Sequence, residues 1–231
     1  MSFEYLLTAL PPLPATPGGK VPMSASELAR MCSEEDEGAS LLSRALLVEF
    51  DIRAMERAVL GVEPGETAIL KIDQIKSRKE MPAWLDSALR DFSRSEAGRY
   101  SFDAVWDAFY RNLAAVAMEF ESSFVMRWAC FDSGLRSAVA AHRASRLKVE
   151  APSCAADGRC SDEPYDFRRI VDEIIDIEER GEGSWKAIDR LVASARLAKA
   201  RDMSAPYGFD LDELLGYVVQ FIVLKQSSYL S

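Results

Sequence analysis

The sequence predicts an all-α protein, an elongated helical bundle built around one long helix or helix pair. Three observations carry this expectation. Between Ala83 and Ala151 there is no proline, and the only glycines are Gly98 and Gly134. Within that stretch apolar residues recur at steps of three and four, at Phe102, Val105, Trp106, Phe109, Leu113, Val116, Phe120, Phe124 and Trp128. That is the period of a helix with one apolar face. Elsewhere strand and helix signals do not alternate, which disfavours a doubly wound α/β fold.

Taken in order, Phe3 to Leu10 is a short apolar segment that runs into Pro11–Pro22. That stretch, with Gly18 and Gly19, reads as an extended surface arm because proline fixes φ and donates no backbone hydrogen bond. Ser26 is the expected N-cap of a first helix that runs through Cys32. A second helix is expected from Glu35 to Leu60, with Leu42, Leu46, Phe50 and Met55 among its apolar positions, stopping before Gly61 and Pro64. Thr67 to Ile75 is ambiguous between strand and other structure. Ser101 is placed to cap a helix starting at Phe102, and the apolar pattern continues through Leu135, Val139 and Leu147 with a break expected at Gly134. Ala151–Pro164 is a loop by composition. Three closing helices are expected at Tyr165–Arg180, Ser184–Arg201 and Leu211–Tyr229, with Ser184 and Asp210 as caps and a Pro206-Tyr207-Gly208 turn. The whole chain, 1–231, is read as a single all-helical domain. Its sub-division is 1–80 (N-terminal helices with the proline-rich arm), 81–150 (the long helical segment) and 165–231 (the C-terminal helices).

Composition narrows the function classes. The 231 residues are 48% hydrophobic and 28% charged, the balance of a globular protein. Lys and Arg total 28 against 37 Asp and Glu, a formal charge of -9. Such a chain repels phosphate backbones, and no basic stripe of useful length offsets this, so nucleic acid is not an expected partner. The first basic residue is Lys20, and Pro11, Pro12 and Pro14 interrupt the N-terminal apolar run, which is unlike a secretory signal. Leu214–Leu224 is uncharged but far short of the roughly 20 residues that cross a bilayer as a helix. It is expected to be a buried helix. The four cysteines are too sparse for a disulfide scaffold, and the expected location is cytoplasmic.

Chemistry-bearing residues are few. His142 is the single histidine and reads as a helix-surface residue, since no nucleophile neighbours it in sequence. Cys154 and Cys160 have neither the spacing nor the companions of a zinc site and read as free loop thiols, or as a local disulfide under oxidising conditions. No phosphate-cradling glycine motif occurs. The acidic run Glu34–Glu37 suits a helix start, where the macrodipole favours carboxylates. Asp172–Glu179 is an acidic amphipathic helix, read as a solvated face with docking as the alternative. The aromatic stripe is assigned to the core, with Trp106, Phe109, Phe120 and Trp128 buried. The expectation is a non-enzymatic interaction or structural protein with no catalytic, cofactor or metal residues.

Certain motifs sharpen this. Trp106-x-x-Phe109-Tyr110 is followed by Phe124, Trp128, Asp132 and Arg136 at four-residue steps, and the chain closes with FDLDELLGYVVQFIVLK from Phe209 to Lys225. Phe50-Asp51-Ile52-Arg53 gives a faint internal echo of Phe131-Asp132 with Leu135-Arg136. With the opening Tyr5–Pro11, these motifs resemble an uncharacterised family of short bacterial proteins encoded among V/A-type ATPase genes. They are also similar to the funnel-shaped central-stalk component of V/A-type ATPases, the one that seats the rotor shaft on the membrane ring. That resemblance implies an all-helical, non-catalytic linker between the rotor shaft and the membrane ring of a proton or sodium ATPase. It would be cytoplasmic, peripheral at the inner membrane through the ATPase, with no cofactor, small-molecule substrate or membrane span. Contact residues are then expected at polar positions beside the aromatic stripe: Arg127, Asp132, Arg136, Tyr217 and Gln220. The chain is shorter than that stalk component, which has three repeats. The alternative is a helical adaptor of another partner, unrelated to the ATPase.

Overall fold

A computed structural model describes residues 3–94, 102–149, 165–181, 184–204 and 206–230. Among these there are ten α-helices, a closing 3-10 turn at Ser228–Leu230, and no strand. The all-helical expectation holds. Among the described residues no helix is long and apolar enough to cross a membrane. The chain divides into two compact units, a middle unit (Met23–Met126) and a terminal unit made of Met1–Pro22 with Arg127–Ser231.

The middle unit contains α2 (Ala25–Cys32), α3 (Glu37–Val59), α4 (Ile72–Ser77), α5 (Ala83–Arg94) and α6 (Asp103–Glu119). Helix α2 is capped by Ser24, not Ser26: the Ser24 hydroxyl accepts the Glu27 amide at 3.1 Å. Ser24 has the extended backbone an N-cap requires, whereas Ser26 already lies inside the helix. Asp36 caps α3 through the Ala39 amide at 3.0 Å. Helix α3 packs on α2, α4 and α6, and buries Leu42, Leu46, Leu47, Ile52 and Met55. It stops at Gly61, which is left-handed at φ 73. The Val62 amide there reaches the Arg57 carbonyl at 2.9 Å and the Gly61 amide reaches that of Ala58 at 3.1 Å, the paired closure that satisfies the last carbonyls of a helix.

The expected long helix is interrupted, but not at Gly134. Helix α6 ends with Phe120 as its C-cap and Glu121 left-handed at φ 51. The Ser122 amide bonds to the Ala117 carbonyl at 2.8 Å, and the Ser122 hydroxyl then accepts the Val125 amide at 3.3 Å to open α7 (Ser123–Leu147). Ser122 thus closes one helix and caps the next. Trp106 and Phe109 are buried as expected, in an edge-on pair with centroids 5.9 Å apart. Phe120 is only half-buried, because it sits at the helix end, where its ring lies against Gly38. The Ser101 cap lies outside the described residues. Thr67–Ile75 contains no strand; its first part is an irregular connection and its second part enters α4.

The terminal unit holds α1 (Glu4–Ala9), most of α7, α8 (Arg168–Arg180), α9 (Ser184–Met203) and α10 (Leu211–Gln226). Helix α10 packs on α9 and is buried along most of its length, including most of the uncharged run from Leu214 to Leu224. Asp210 caps it through the Glu213 amide at 2.9 Å. Gly134 lies within α7, and it is glycine for packing: a Cβ there would meet the Phe167 ring at 2.8 Å. Phe167 joins Trp128, Phe131 and Tyr165 in one aromatic cluster. Trp128 is buried, as expected. Cys154 and Cys160 lie outside the described residues. Cys130 on α7 is disulfide-bonded, a state favoured by oxidising surroundings, so it does not support the cysteine-based expectation of a cytoplasmic location.

Candidate functional site

The five expected contact residues all belong to the terminal unit, and they do not form an exposed surface. Asp132 is buried at 4% exposure, and its carboxylate takes a two-pronged ion pair from Arg196, at 2.6 Å from Nε and 3.0 Å from Nη2. Arg196 also donates to Gln226 at 3.3 Å and lies over the Trp128 ring at 5.6 Å. Asp132 thereby fastens α7 to α9: an unpaired carboxylate at that depth would cost several kcal/mol. Arg136, one turn further along α7, is half-buried. Half-buried Arg127 acts electrostatically on Asp212 in the first turn of α10. Burial and the neighbouring Asp210 raise the Asp212 carboxyl above its usual range, and Arg127 pulls against them.

Tyr217 and Gln220 sit one turn apart on α10, and both serve the proline-rich arm. The Tyr217 hydroxyl donates to the Pro11 carbonyl at 2.7 Å. Gln220 accepts from Arg201 Nε at 3.2 Å, and Arg201 donates onward to the carbonyls of Ala15 and Pro14 at 2.9 and 3.3 Å. A proline-rich segment offers carbonyls but few amides, so donors on α9 and α10 are what can hold it.

His142 is not a surface residue. Its side chain is 9% exposed, with Nε2 3.0 Å from the Glu178 carboxylate, which also pairs with Arg146. This joins α7 to α8. The His142 hydrogen bond, helped by Arg146, lowers the Glu178 carboxyl from its ordinary value. Among the described residues no group of three or more His, Cys, Asp or Glu side chains is arranged to hold a metal ion.

An open concave feature lies in the middle unit, where α3 and α4 both end. It is a cavity of about 330 Å³. Its apolar lining includes Met55, Ala58 and Val59 from the last turns of α3, Ile75 from α4 and Leu89 from α5. Residues 61–64 also line it, and Glu63, Lys76 and Arg78 are charged members of the lining. Lys76 and Glu63 are 3.6 Å apart and largely exposed, so their pairing is worth little and is easily exchanged. Val62 in this lining is exposed, as are Leu60 and Ile72, which are close to lining residues in sequence.

The walls are held from behind by polar anchors. Arg57 Nε donates to the Glu63 carbonyl at 2.7 Å. Buried Asp51 gathers the amides of Ala68, Ile69 and Leu70 at 2.9 to 3.3 Å, tying the connection before α4 to the side of α3. Burial pushes the Asp51 carboxyl up to about 6 despite those three amides, which pull it down. Gln74 bridges the Lys71 amide at 2.8 Å and the Glu80 carbonyl at 3.3 Å. Arg78 and Glu80 both hold left-handed backbone, at φ 54 and 56.

Comparison with known proteins returns no match among family models, curated proteins or solved structures.

Nothing in the sequence motifs points to this site. Its lining is drawn from three helices and the segment between two of them, so no local pattern marks it.

Proposed function

We propose that this chain is a non-catalytic helical interaction protein whose docking face is the cavity at the ends of α3 and α4. The observation that supports this is the combination of an open cavity of mixed apolar and charged lining with Leu60, Val62 and Ile72 exposed. Exposed apolar side chains and a concave site favour a partner that covers them. The motif resemblance supplies the partner to test first, a V/A-type ATPase, with the chain linking rotor shaft and membrane ring. Purification of the native ATPase in mild detergent with quantitative mass spectrometry tests that assignment. One copy of the chain per rotor is the expected result. Absence from an intact, active complex would remove the ATPase and leave a helical adaptor of another partner. The docking face itself is tested by Val62→Asp, which should abolish partner retention while leaving the helical content unchanged.

A further inference from the structure

We infer that the face of α9 and α10 is a receptor for polyproline-type segments, and that its occupant in trans is the proline-rich arm of a second copy of this chain. The inference does not depend on the α3–α4 cavity. The arm shows what the face selects. Leu10, where the arm leaves α1, has φ -71 and ψ 136, the backbone of a polyproline helix. Prolines then recur at Pro11, Pro14 and Pro17, one for each three-residue turn of such a helix. These three and Leu13 are half-buried, whereas Pro12, Ala15 and Thr16 are exposed. The donors on the face follow the same period. The Tyr217 hydroxyl reaches the Pro11 carbonyl, and Arg201 reaches that of Pro14, three residues on, together with that of Ala15. A polyproline segment has no internal hydrogen bonds, so donors at this spacing are what recognise it. Phe3, Leu6 and Leu10 are buried ahead of it, and the Phe3 amide bonds the Phe209 carbonyl at 2.8 Å. Residues 3–17 therefore dock as one unit, an apolar helix followed by a polyproline turn.

The segment that fits this face belongs to the chain itself, so every copy carries both halves of the contact. A tight reversal directly after the arm closes the contact within one copy. The Gly19 amide bonds the Thr16 carbonyl at 3.4 Å, and Gly18 follows Pro17 with φ 93, which is a type II turn. Gly19 is folded back on Pro14, where a Cβ would lie 2.4 Å from the ring. The docking hydrogen bonds come from Phe3, Pro11, Pro14 and Ala15, and none belongs to the turn. Opening the turn frees residues 3–17 to make the same bonds on a neighbour. Two chains that trade arms keep every docking bond and give up the turn, at the entropic cost of association.

The test uses the full chain. Size exclusion with light scattering should show monomer at about 10 μM and a dimer fraction after incubation near about 1 mM. Two differently tagged preparations incubated together should give a mixed dimer. Deleting Gly18 and Gly19 removes the reversal, and the dimer should then dominate, with its dissociation constant lowered roughly ten-fold or more. Adding Tyr217→Phe and Arg201→Gln to that deletion should restore the monomer. A wild type that stays monomeric throughout overturns the trans occupancy. A dimer untouched by the Tyr217 and Arg201 changes forms through another face and overturns the inference. So does a deletion variant that stays monomeric with wild-type circular dichroism. Should the deletion variant not fold, a fluorescein-labelled peptide of residues 3–17 decides, read by anisotropy on the full chain carrying P11S/P14S/P17S, whose own arm is weakened. The peptide should bind, and its version with serine at the three proline positions should bind roughly ten-fold more weakly or worse. Equal binding of the two peptides, or none up to about 1 mM, overturns the inference.

Discussion

Among the described residues each unit buries one aspartate on a long helix, and the two are stabilised in opposite ways. Asp132 in the terminal unit meets a cation, Arg196, through two hydrogen bonds. Asp51 in the middle unit has its carboxylate held by three backbone amides, with Arg44 exerting the smallest of the influences on it. A guanidinium returns to a buried carboxylate much of the solvation it lost, while amides return only part. The first arrangement joins two helices; the second fixes a connection that forms the back of the candidate site.

The largest effect should come from breaking the charged pair. Asp132→Ala leaves Arg196 buried without its carboxylate and should destabilise the protein by about 3–5 kcal/mol. Urea denaturation followed by circular dichroism measures this. Replacing both partners with apolar residues, as in D132L/R196M, should recover most of the loss, since the penalty belongs to the stranded charge. A loss below about 1 kcal/mol in the single variant would mean that the pair is solvated.

Trp106→Ala gives the apolar counterpart in the middle unit. Trp106 is 1% exposed, packs edge-on to Phe109, and has the Arg53 guanidinium over its ring at 5.3 Å. Loss of about 3–5 kcal/mol is expected for an aromatic at that depth, measured in the same way.

The Asp51 contrast is sharpened by pH. Its folded carboxyl titrates near 6, above its unfolded value of 3.8. The folded state therefore holds the proton more tightly, and the Asp51 contribution is fully present below the unfolded value and lost as pH rises through about 6. Asp51→Asn removes this titration. The stability difference between wild type and variant should move in favour of wild type, by on the order of 2 kcal/mol, as pH falls from 7 to 4. Glu178 works in the other direction: its lowered carboxyl gives stability that is lost on acidification. Comparing the variant with wild type at each pH cancels that background. A difference that does not change with pH would show that Asp51 stays ionised throughout.

The helices are legible in the sequence because their signals are local. Apolar spacing locates α3, α6 and α10, and Asp210 announces the start of its helix. Gly134 misleads because its role is tertiary: it makes room for Phe167, which lies 33 positions away in the chain. Tyr217 and Gln220 stand out as polar positions on a buried helix, but their partners are carbonyls and an arginine from distant segments. Asp51 stands out in sequence only through the faint echo with Phe131-Asp132, and nothing local shows that three amides from residues 68–70 converge on it. The candidate site is hidden for the same reason, since its lining comes from three helices.

The break between α6 and α7 yields the smallest predicted effect and the one of opposite sign. Glu121 occupies the left-handed position that usually takes glycine at a helix end, and it does so at φ 51. Its backbone is held there by the Ser122 amide on Ala117 and its own amide on Met118, at 2.8 and 3.3 Å. A non-glycine residue in this conformation carries strain of roughly 1 kcal/mol, so Glu121→Gly relieves strain in the folded state. Glycine also adds freedom to the unfolded chain, which offsets part of that gain. The net expectation is stabilisation of about 0.5 kcal/mol, read as a small rise in the urea midpoint with unchanged slope. Glu121→Ala keeps the strain, so it should not rise with the glycine variant. If both variants shift together, the removed carboxylate rather than the left-handed backbone is responsible.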